Sequence, residues 1–191
     1  MASKSGSSGV GTRGVALTRP RVARPDPPAM MRIMPTPPPG AVSVPVALRW
    51  SDMDAYAHVN NALFLRLMED ARIAALVRTL DLDNELNNTG ALVARAEIDY
   101  LAPLAFRPQG VVVDVWAGRI GGASFELHYL IRDPEDLGDT VYARAATTMV
   151  WYDARTGATR RATPQERAGL ERMEGEPLAL GRSARGAGGA R

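Results

Sequence analysis

The chain has 191 residues, of which 46% are hydrophobic and 23% charged, a composition suited to one globular domain with flanking tails. It contains no cysteine, which excludes disulfides, thiolate metal sites and cysteine nucleophiles. Residues 1–40 carry six basic side chains against one aspartate, whereas residues 41–165 carry twelve arginines against sixteen acidic side chains. A basic nucleic-acid-binding face on the folded body is therefore not expected.

The two ends of the chain differ in composition from its middle. Residues 1–40 hold eight of the fourteen prolines and show no apolar periodicity, so we predict a disordered tail. Residues 175–191 are rich in Gly, Ala and Arg and are also predicted to be disordered. No apolar run approaches the roughly 18 residues of a membrane-spanning helix. The first residues also lack the apolar region of a signal peptide, so we expect a cytoplasmic protein without membrane insertion.

The first predicted elements are a strand and a long helix. Residues 44–50 alternate between apolar and polar positions, which predicts a half-buried strand. From residue 62 to residue 80 the apolar side chains recur at helical spacing, and Asn60 is a suitable N-cap. The polar residues 81–90 are expected to end this helix in a loop.

Four further alternating segments follow, at residues 92–100, 111–116, 124–131 and 141–151. Their spacing predicts an antiparallel meander, which gives an α+β fold with about five strands around one central helix. Thr163 and Pro164 predict the start of a short helix within residues 161–174, after a main domain at 41–160. Because an open sheet leaves unpaired edges, we expect a homodimer or homotetramer.

The polar turn between the first strand and the long helix is the candidate active site. Asp52, Asp54 and His58 lie there, followed by Asn60 and Asn61 at the helix start. The backbone N–H groups of a helix N-terminus are unsatisfied and could polarise a carbonyl oxygen, as in an oxyanion hole. A nearby carboxylate could attack that carbonyl or activate a water molecule. This combination suits acyl transfer, and the chain has no G-x-S-x-G nucleophile motif.

Two other interpretations of the same turn stay open. Asp-x-Asp with a histidine could bind a metal ion, although no second histidine or third acidic ligand lies nearby in the sequence. Alternatively, Asp54 could only satisfy backbone N–H groups of the turn, with His58 as an ordinary turn residue.

A family resemblance rests on the run R-W-S-D-M-D-A-Y-A-H-V-N-N and the following F-L-R-L-M-E-D-A-R. Over residues 44–155 the chain resembles the 4-hydroxybenzoyl-CoA thioesterase branch of the hotdog-fold acyl-CoA thioesterases. The resemblance implies a hotdog fold and hydrolysis of a fatty or aromatic acyl-CoA without a metal or other cofactor. It implies that Asp54 is the nucleophile or general base and that the backbone N–H near Asn61 polarises the thioester carbonyl. A non-catalytic acyl-CoA-binding module and a hotdog hydratase are the alternatives.

The remaining candidate residues follow from the same resemblance. His58 is expected to assist catalysis, and four residues are expected near the substrate: Tyr56, Asn60, Glu69 and Ser124. Glu69 is also an alternative catalytic base. The candidates for binding CoA phosphates are Arg95, Arg107, Arg119, Arg160 and Arg161. His128 is expected to be exposed, and Trp50, Trp116 and Trp151 are expected in the core or at a dimer contact.

Overall fold

The computed structural model describes residues 36–80 and 90–181 of the chain. The elements in chain order are β1 (Val42–Val46), a turn of 3-10 helix (Trp50–Asp52), α1 (Leu63–Leu80), β2 (Ala91–Tyr100), β3 (Val111–Ile120), β4 (Ser124–Arg132), β5 (Val141–Asp153), β6 (Ala158–Thr159) and α2 (Pro164–Arg172). The strands form one antiparallel sheet in the order β1-β3-β4-β5-β2, and the two-residue β6 pairs with β5. The α+β architecture predicted from the sequence is confirmed, with one additional short strand.

The strand order differs from the predicted meander at one strand. β3, β4 and β5 pair in chain order, but β2 pairs with β5, where Tyr100 lies opposite Ala143. The alternation of apolar residues defines a strand and its faces but does not identify its partner, because pairing is set by long-range packing. As a result, β2 lies at one edge of the sheet and β1 at the other.

The long helix packs against the β1 and β3 side of the sheet. Phe64, Leu67, Met68, Ala71 and Ala75 are all buried, at the helical spacing that the sequence showed. They contact a core formed by alternate residues of the strands. The predicted N-cap is confirmed, since the Ala62 N–H donates to Asn60 Oδ1 at 2.9 Å. Neither helix of the described residues is both long and apolar enough to span a membrane.

The C-terminal segment covers the outer face of the sheet, opposite α1. Trp116 lies on this face because its neighbours in β3 point toward α1. The Trp116 indole N–H donates to the Glu176 carbonyl at 3.0 Å, and the Gly181 N–H donates to Asp99 Oδ2 at 3.0 Å. Disorder was predicted from residue 175, but residues 175–181 lie on the sheet; residues 182–191 lie outside the described residues. Of the predicted tail 1–40 only residues 36–40 are described, and of the predicted loop 81–90 only Gly90.

Two side chains have exposures opposite to those expected. His128 is only 3% exposed, since the C-terminal segment covers the outer face of β4 on which it lies. Trp50 is 74% exposed because it belongs to the 3-10 turn rather than to β1, which ends at Val46. Trp116 and Trp151 are buried, as predicted.

Candidate active site

The loop of residues 53–59, called here the Asp54 loop, is a closed turn between β1 and α1. Met53 and Val59 form an antiparallel bridge, and the Asp54 N–H donates to the His58 carbonyl at 2.8 Å. Ala57 has a φ of 61°, a left-handed conformation that is uncommon outside glycine. The Val59 N–H donates to the Leu104 carbonyl at 2.7 Å, which attaches the loop to the segment after β2. The backbone of the loop is thus fixed on two sides.

The Asp54 carboxylate is oriented by the backbone of its own loop. Its Oδ1 accepts hydrogen bonds from the Tyr56 N–H at 2.8 Å and the His58 N–H at 3.3 Å. Within the described residues, Oδ2 accepts no hydrogen bond. The turn-stabilising role considered for Asp54 therefore occupies one oxygen and leaves the other available to a ligand in the cleft.

The first amides of α1 are almost all engaged. The Asn60 N–H donates to the Asp52 carbonyl, and the Ala62 and Leu63 N–H groups donate to oxygens of Asn60, each at 2.9 Å. Among these described amides only that of Asn61 has no hydrogen-bond acceptor. The sequence indicated Asn60 and Asn61 together, but the geometry leaves Asn61 as the amide that can donate to a ligand at the positive end of the helix dipole.

Tyr100, at the end of β2, forms the opposite wall of this site. Its hydroxyl donates to the Asn61 carbonyl at 2.9 Å, and its ring makes an edge contact with Phe64 at 5.2 Å between centroids. Burial raises the pKa of Tyr100 above its ordinary value. Sequence reasoning missed this residue, since only the tertiary structure brings the end of β2 to the start of α1.

A cleft of about 370 Å³ lies between the Asp54 loop and residues 100–104. Asp54, Tyr56, His58 and Asn61 line it together with Tyr100. The side chains of Tyr56 and His58 are both exposed at this cleft. The structure therefore brings the catalytic candidates and Tyr56 to one place.

Two predicted substrate contacts lie away from this cleft in the protomer. Glu69 is two turns further along α1, on an exposed position 3.7 Å from Arg72. Ser124 pairs with Val150, seven residues along β5 from the partner of Tyr100, a separation of about 23 Å at 3.3 Å per residue. Neither side chain can reach a group held at Asn61 within the same protomer.

An ion pair fixes the start of the Asp54 loop to the helix. Asp52 is buried, and its Oδ2 accepts from the Arg66 guanidinium at 2.6 Å and from the Arg49 N–H at 2.7 Å. Arg66 also contacts Asp70 at 3.1 Å. Asp52 is therefore a structural link between loop and helix, whereas Asp54 faces the cleft.

The metal-site interpretation receives no geometric support from the described residues. No group of three His, Asp or Glu side chains among them is arranged to hold a metal ion.

Three of the arginines considered for CoA contact carboxylates: Arg95 with Glu97, Arg107 with Asp133, and Arg160 with Glu166.

The thioesterase-like superfamily matches the chain over residues 48–172. Among solved structures, a thioesterase from Thermus thermophilus, crystallised with coenzyme A and zinc, is 30% identical with a TM-score of 0.61. That match covers 73% of this chain and 97% of the Thermus chain. Among curated proteins, none matches the chain significantly.

Two further solved structures share the architecture. An inferred acyl-CoA thioesterase from Xanthomonas campestris is 29% identical with a TM-score of 0.52, over 59% of this chain and 93% of that one. A 1,4-dihydroxy-2-naphthoyl-CoA thioesterase from Synechocystis is 17% identical with a TM-score of 0.58, over 68% of this chain and 95% of that one, and it supports the fold alone. Together with the superfamily match, these likenesses confirm the hotdog fold expected from the sequence.

Proposed function

The chain belongs to the thioesterase-like superfamily and is a thioester hydrolase, and on this basis we propose that it hydrolyses an acyl-CoA to a free acid and CoA. One observation carries the proposal: a single cleft contains the Asp54 carboxylate and the amide of Asn61, which has no acceptor among the described residues. The coenzyme A in the Thermus relative and the acyl-CoA assignment of the Xanthomonas relative support CoA as the thiol part of the substrate.

In the proposed mechanism the thioester carbonyl oxygen accepts a hydrogen bond from the Asn61 N–H. The helix dipole adds to this polarisation, and the negative charge that develops on the oxygen is stabilised there. The Tyr100 hydroxyl, bonded to the Asn61 carbonyl, holds the same residue in position. Polarisation by one such donor is worth on the order of 10²–10³ in rate.

Asp54 supplies the second part of the mechanism. As a nucleophile, its Oδ2 forms a mixed anhydride and expels CoA thiolate, and water then cleaves the anhydride. As a general base, it removes a proton from water, which attacks the carbonyl before the thiolate leaves. Both routes use an ionised carboxylate, and an ordinary Asp is ionised at neutral pH. We propose that His58 acts through its backbone N–H, which orients Asp54, while the exposed Tyr56 contacts the substrate.

The test is thiol release from an acyl-CoA panel by wild type and Asp54→Asn. The Asn Oδ1 can still accept from the Tyr56 and His58 N–H groups, so the loop should keep its conformation. We expect turnover to fall by about 10²–10⁴, the contribution of a positioned acid–base group, with an unchanged melting temperature.

Asp70→Asn is the matched control, because it removes an exposed carboxylate from the same region and should retain full activity. Unchanged turnover in Asp54→Asn would refute the role of Asp54. Binding of acyl-CoA without hydrolysis of any member of the panel would instead favour the non-catalytic module.

We also propose that the active form is a homodimer joined along β2. One edge of β2 pairs with β5, while the other pairs with no described strand. In a two-fold antiparallel pairing, the Leu92 end of one sheet lies beside the Tyr100 end of the other. This arrangement would bring Ser124 of one protomer closer to the Asp54 cleft of its partner, which supports keeping Ser124 as a candidate substrate contact.

We choose among the candidate arginines for the CoA phosphates by their exposure and their ion pairs. Arg119 and Arg161 are exposed and form no ion pair with a described residue. They are therefore favoured over Arg95, Arg107 and Arg160, whose guanidinium groups already contact carboxylates.

A further inference from the structure

A second groove lies along α1. It has a volume of about 230 Å³, and its walls come from α1, from Val93 and Ala96 of β2, and from Thr147 of β5. The charged side chains of α1 that line it are Arg66, Glu69 and Arg72, so the predicted substrate contact Glu69 belongs to this groove. On α1, the groove residues Leu65, Met68 and Arg72 follow Asn61 at intervals of four, seven and eleven residues, which places all of them on one helix face. The cleft and the groove therefore share the same helix face and the same strand.

A partly buried cation lies at the far end of this groove. The Arg72 side chain is 12% exposed, although it belongs to a residue type that is almost never buried without a partner. Its nearest carboxylate is Glu69, at 3.7 Å, which is too long for a hydrogen bond, and Glu69 is 58% exposed. The guanidinium thus keeps donor groups for an acceptor inside the groove.

Two hydroxyl groups extend this polar site beneath the groove. Tyr129 is fully buried, and its hydroxyl lies 2.8 Å from the Thr147 hydroxyl. Burial raises the pKa of Tyr129, and the Arg72 guanidinium, a hydrogen-bond partner of the same hydroxyl, opposes that rise. A guanidinium only donates, so Tyr129 is the acceptor toward Arg72, whereas either hydroxyl can be the donor between Tyr129 and Thr147. Thr147 lines the groove, and its hydroxyl can both donate and accept a hydrogen bond.

We propose that the groove binds the acyl chain, and that Arg72 and Thr147 select acyl groups with a carboxylate or hydroxyl oxygen at the far end. This inference rests on the proposed function and specifies its substrate class. Leu65, Met68, Val93 and Ala96 supply apolar contact for the chain before it reaches the donors. A purely apolar chain of the same length would offer no acceptor to Arg72 or Thr147, so it would gain no polar interaction at the far end of the groove.

The helix geometry sets the length of the chain. Asn61 and Arg72 are eleven residues apart, or about 16 Å along the axis at 1.5 Å per residue. A helical side chain covers the turn that precedes its own Cα, so the guanidinium is reached after about 11 Å. The proposal therefore specifies a medium-length acyl chain with a distal oxygen.

The experiment compares matched substrates with equal carbon numbers. Hexanoyl-, octanoyl- and decanoyl-CoA are tested against adipoyl-, suberoyl- and sebacoyl-CoA, which carry a carboxylate at the far end. We expect kcat/KM to be roughly tenfold or more higher for the best carboxylated member than for its apolar counterpart. Arg72→Met should remove this preference, because it removes the distal positive charge that the carboxylated chain meets.

Two further variants keep the test interpretable. Thr147→Val removes one hydroxyl at nearly constant shape and should reduce the preference, which covers the case in which Arg72→Met fails to fold. Arg78→Met replaces an exposed arginine on the same helix and should leave the preference unchanged.

A wild-type enzyme that prefers the apolar chains, or a preference that survives both groove variants, would overturn the proposal. Release of thiol from none of the acyl-CoAs would contradict the proposed function instead. In that case, calorimetric binding of suberoyl- and octanoyl-CoA to wild type and Thr147→Val still tests the selection, and equal affinities would overturn it.

Discussion

At the level of single residues, the conformation of the Asp54 loop depends on a side chain that does not face the cleft. Asp52 is buried at the start of the loop and joins it to α1 through Arg66, at 2.6 Å. The carbonyl of Asp52 also accepts the Asn60 N–H, so the same residue leaves Asn61 as the amide available to a ligand. The pair Asp52–Arg66 therefore positions both proposed catalytic groups.

Asp52→Asn tests this positioning role. The substitution removes the charge opposite a partly buried guanidinium, so we expect the free energy of unfolding to fall by about 2 kcal/mol. Asp70→Asn breaks the exposed half of the same Arg66 network and should cost under about 0.5 kcal/mol. Urea denaturation measures both values. Equal losses in the two variants would show that Asp52 does not anchor the loop.

Some residues of the candidate site could be predicted from the sequence, and others could not. Asp54 and Asn61 could be identified because they lie between a predicted strand and a predicted helix. The change from strand to helix periodicity locates this connection in the sequence. Tyr100 and Arg72 were not predicted, since Tyr100 reaches the site from the end of β2 and Arg72 has the spacing of an ordinary solvent-facing arginine. The hydrogen-bond partner of Arg72, Tyr129, lies in β4 and is far from Arg72 in the sequence.

At the level of elements, the C-terminal segment converts the outer sheet face into an interior. The Leu178 N–H donates to His128 Nδ1 at 3.4 Å, and the imidazole stacks on Trp116 at 5.8 Å between ring centroids. His128 Nε2 is buried and lies 3.8 Å from a Glu126 oxygen. The sequence showed His128 on the polar side of β4 but not the segment that covers it, because residues 175–181 have no apolar periodicity.

This cover makes stability dependent on pH. Burial lowers the pKa of His128, and the weaker attraction of Glu126 opposes that change. An unfolded histidine titrates near 6.5, so below that pH the unfolded chain binds a proton that the folded chain does not. The stability from a neutral His128 is thus present above about pH 6.5 and lost as the pH falls toward the lower folded pKa.

The glutamine side chain in His128→Gln does not titrate. The free energy of unfolding of this variant should therefore fall less than that of wild type as the pH is lowered from about 7.5 to about 5. Urea denaturation at several pH values in that range measures the difference, and the carboxyl groups common to both proteins cancel in the comparison. Parallel curves for the two proteins would mean that His128 does not titrate differently in the folded state.

At the level of the whole molecule, α1 covers one edge of the sheet more than the other. α1 packs against β1 and β3, while β2 on the opposite edge exposes Leu92 and Val93. Strand identities could be predicted from the sequence because alternation is local, whereas the position of β2 beside β5 depends on packing across the whole chain. An exposed apolar edge strand is normally covered or paired, which is the physical basis for the proposed dimer.

The dimer is tested with Leu92→Lys, which places a charge on the open edge of β2. Leu92 is 53% exposed in the protomer, so the substitution should be tolerated by the fold and act on association alone. We expect wild type to sediment at about twice the protomer mass of 20.5 kDa, and Leu92→Lys to sediment near one protomer mass. Since Ser124 of one protomer is proposed to approach the cleft of the other, turnover per chain should fall together with the mass.

Leu137→Lys is the matched control, because Leu137 is 42% exposed in the turn between β4 and β5, away from the β2 edge. It should keep the wild-type mass and activity. Analytical ultracentrifugation measures the mass of each variant, and thiol release measures its turnover. Both are followed over a dilution series. A wild type that is monomeric yet fully active would mean that one protomer contains the complete site, and that the open edge of β2 is protected by its charged residues rather than by a partner.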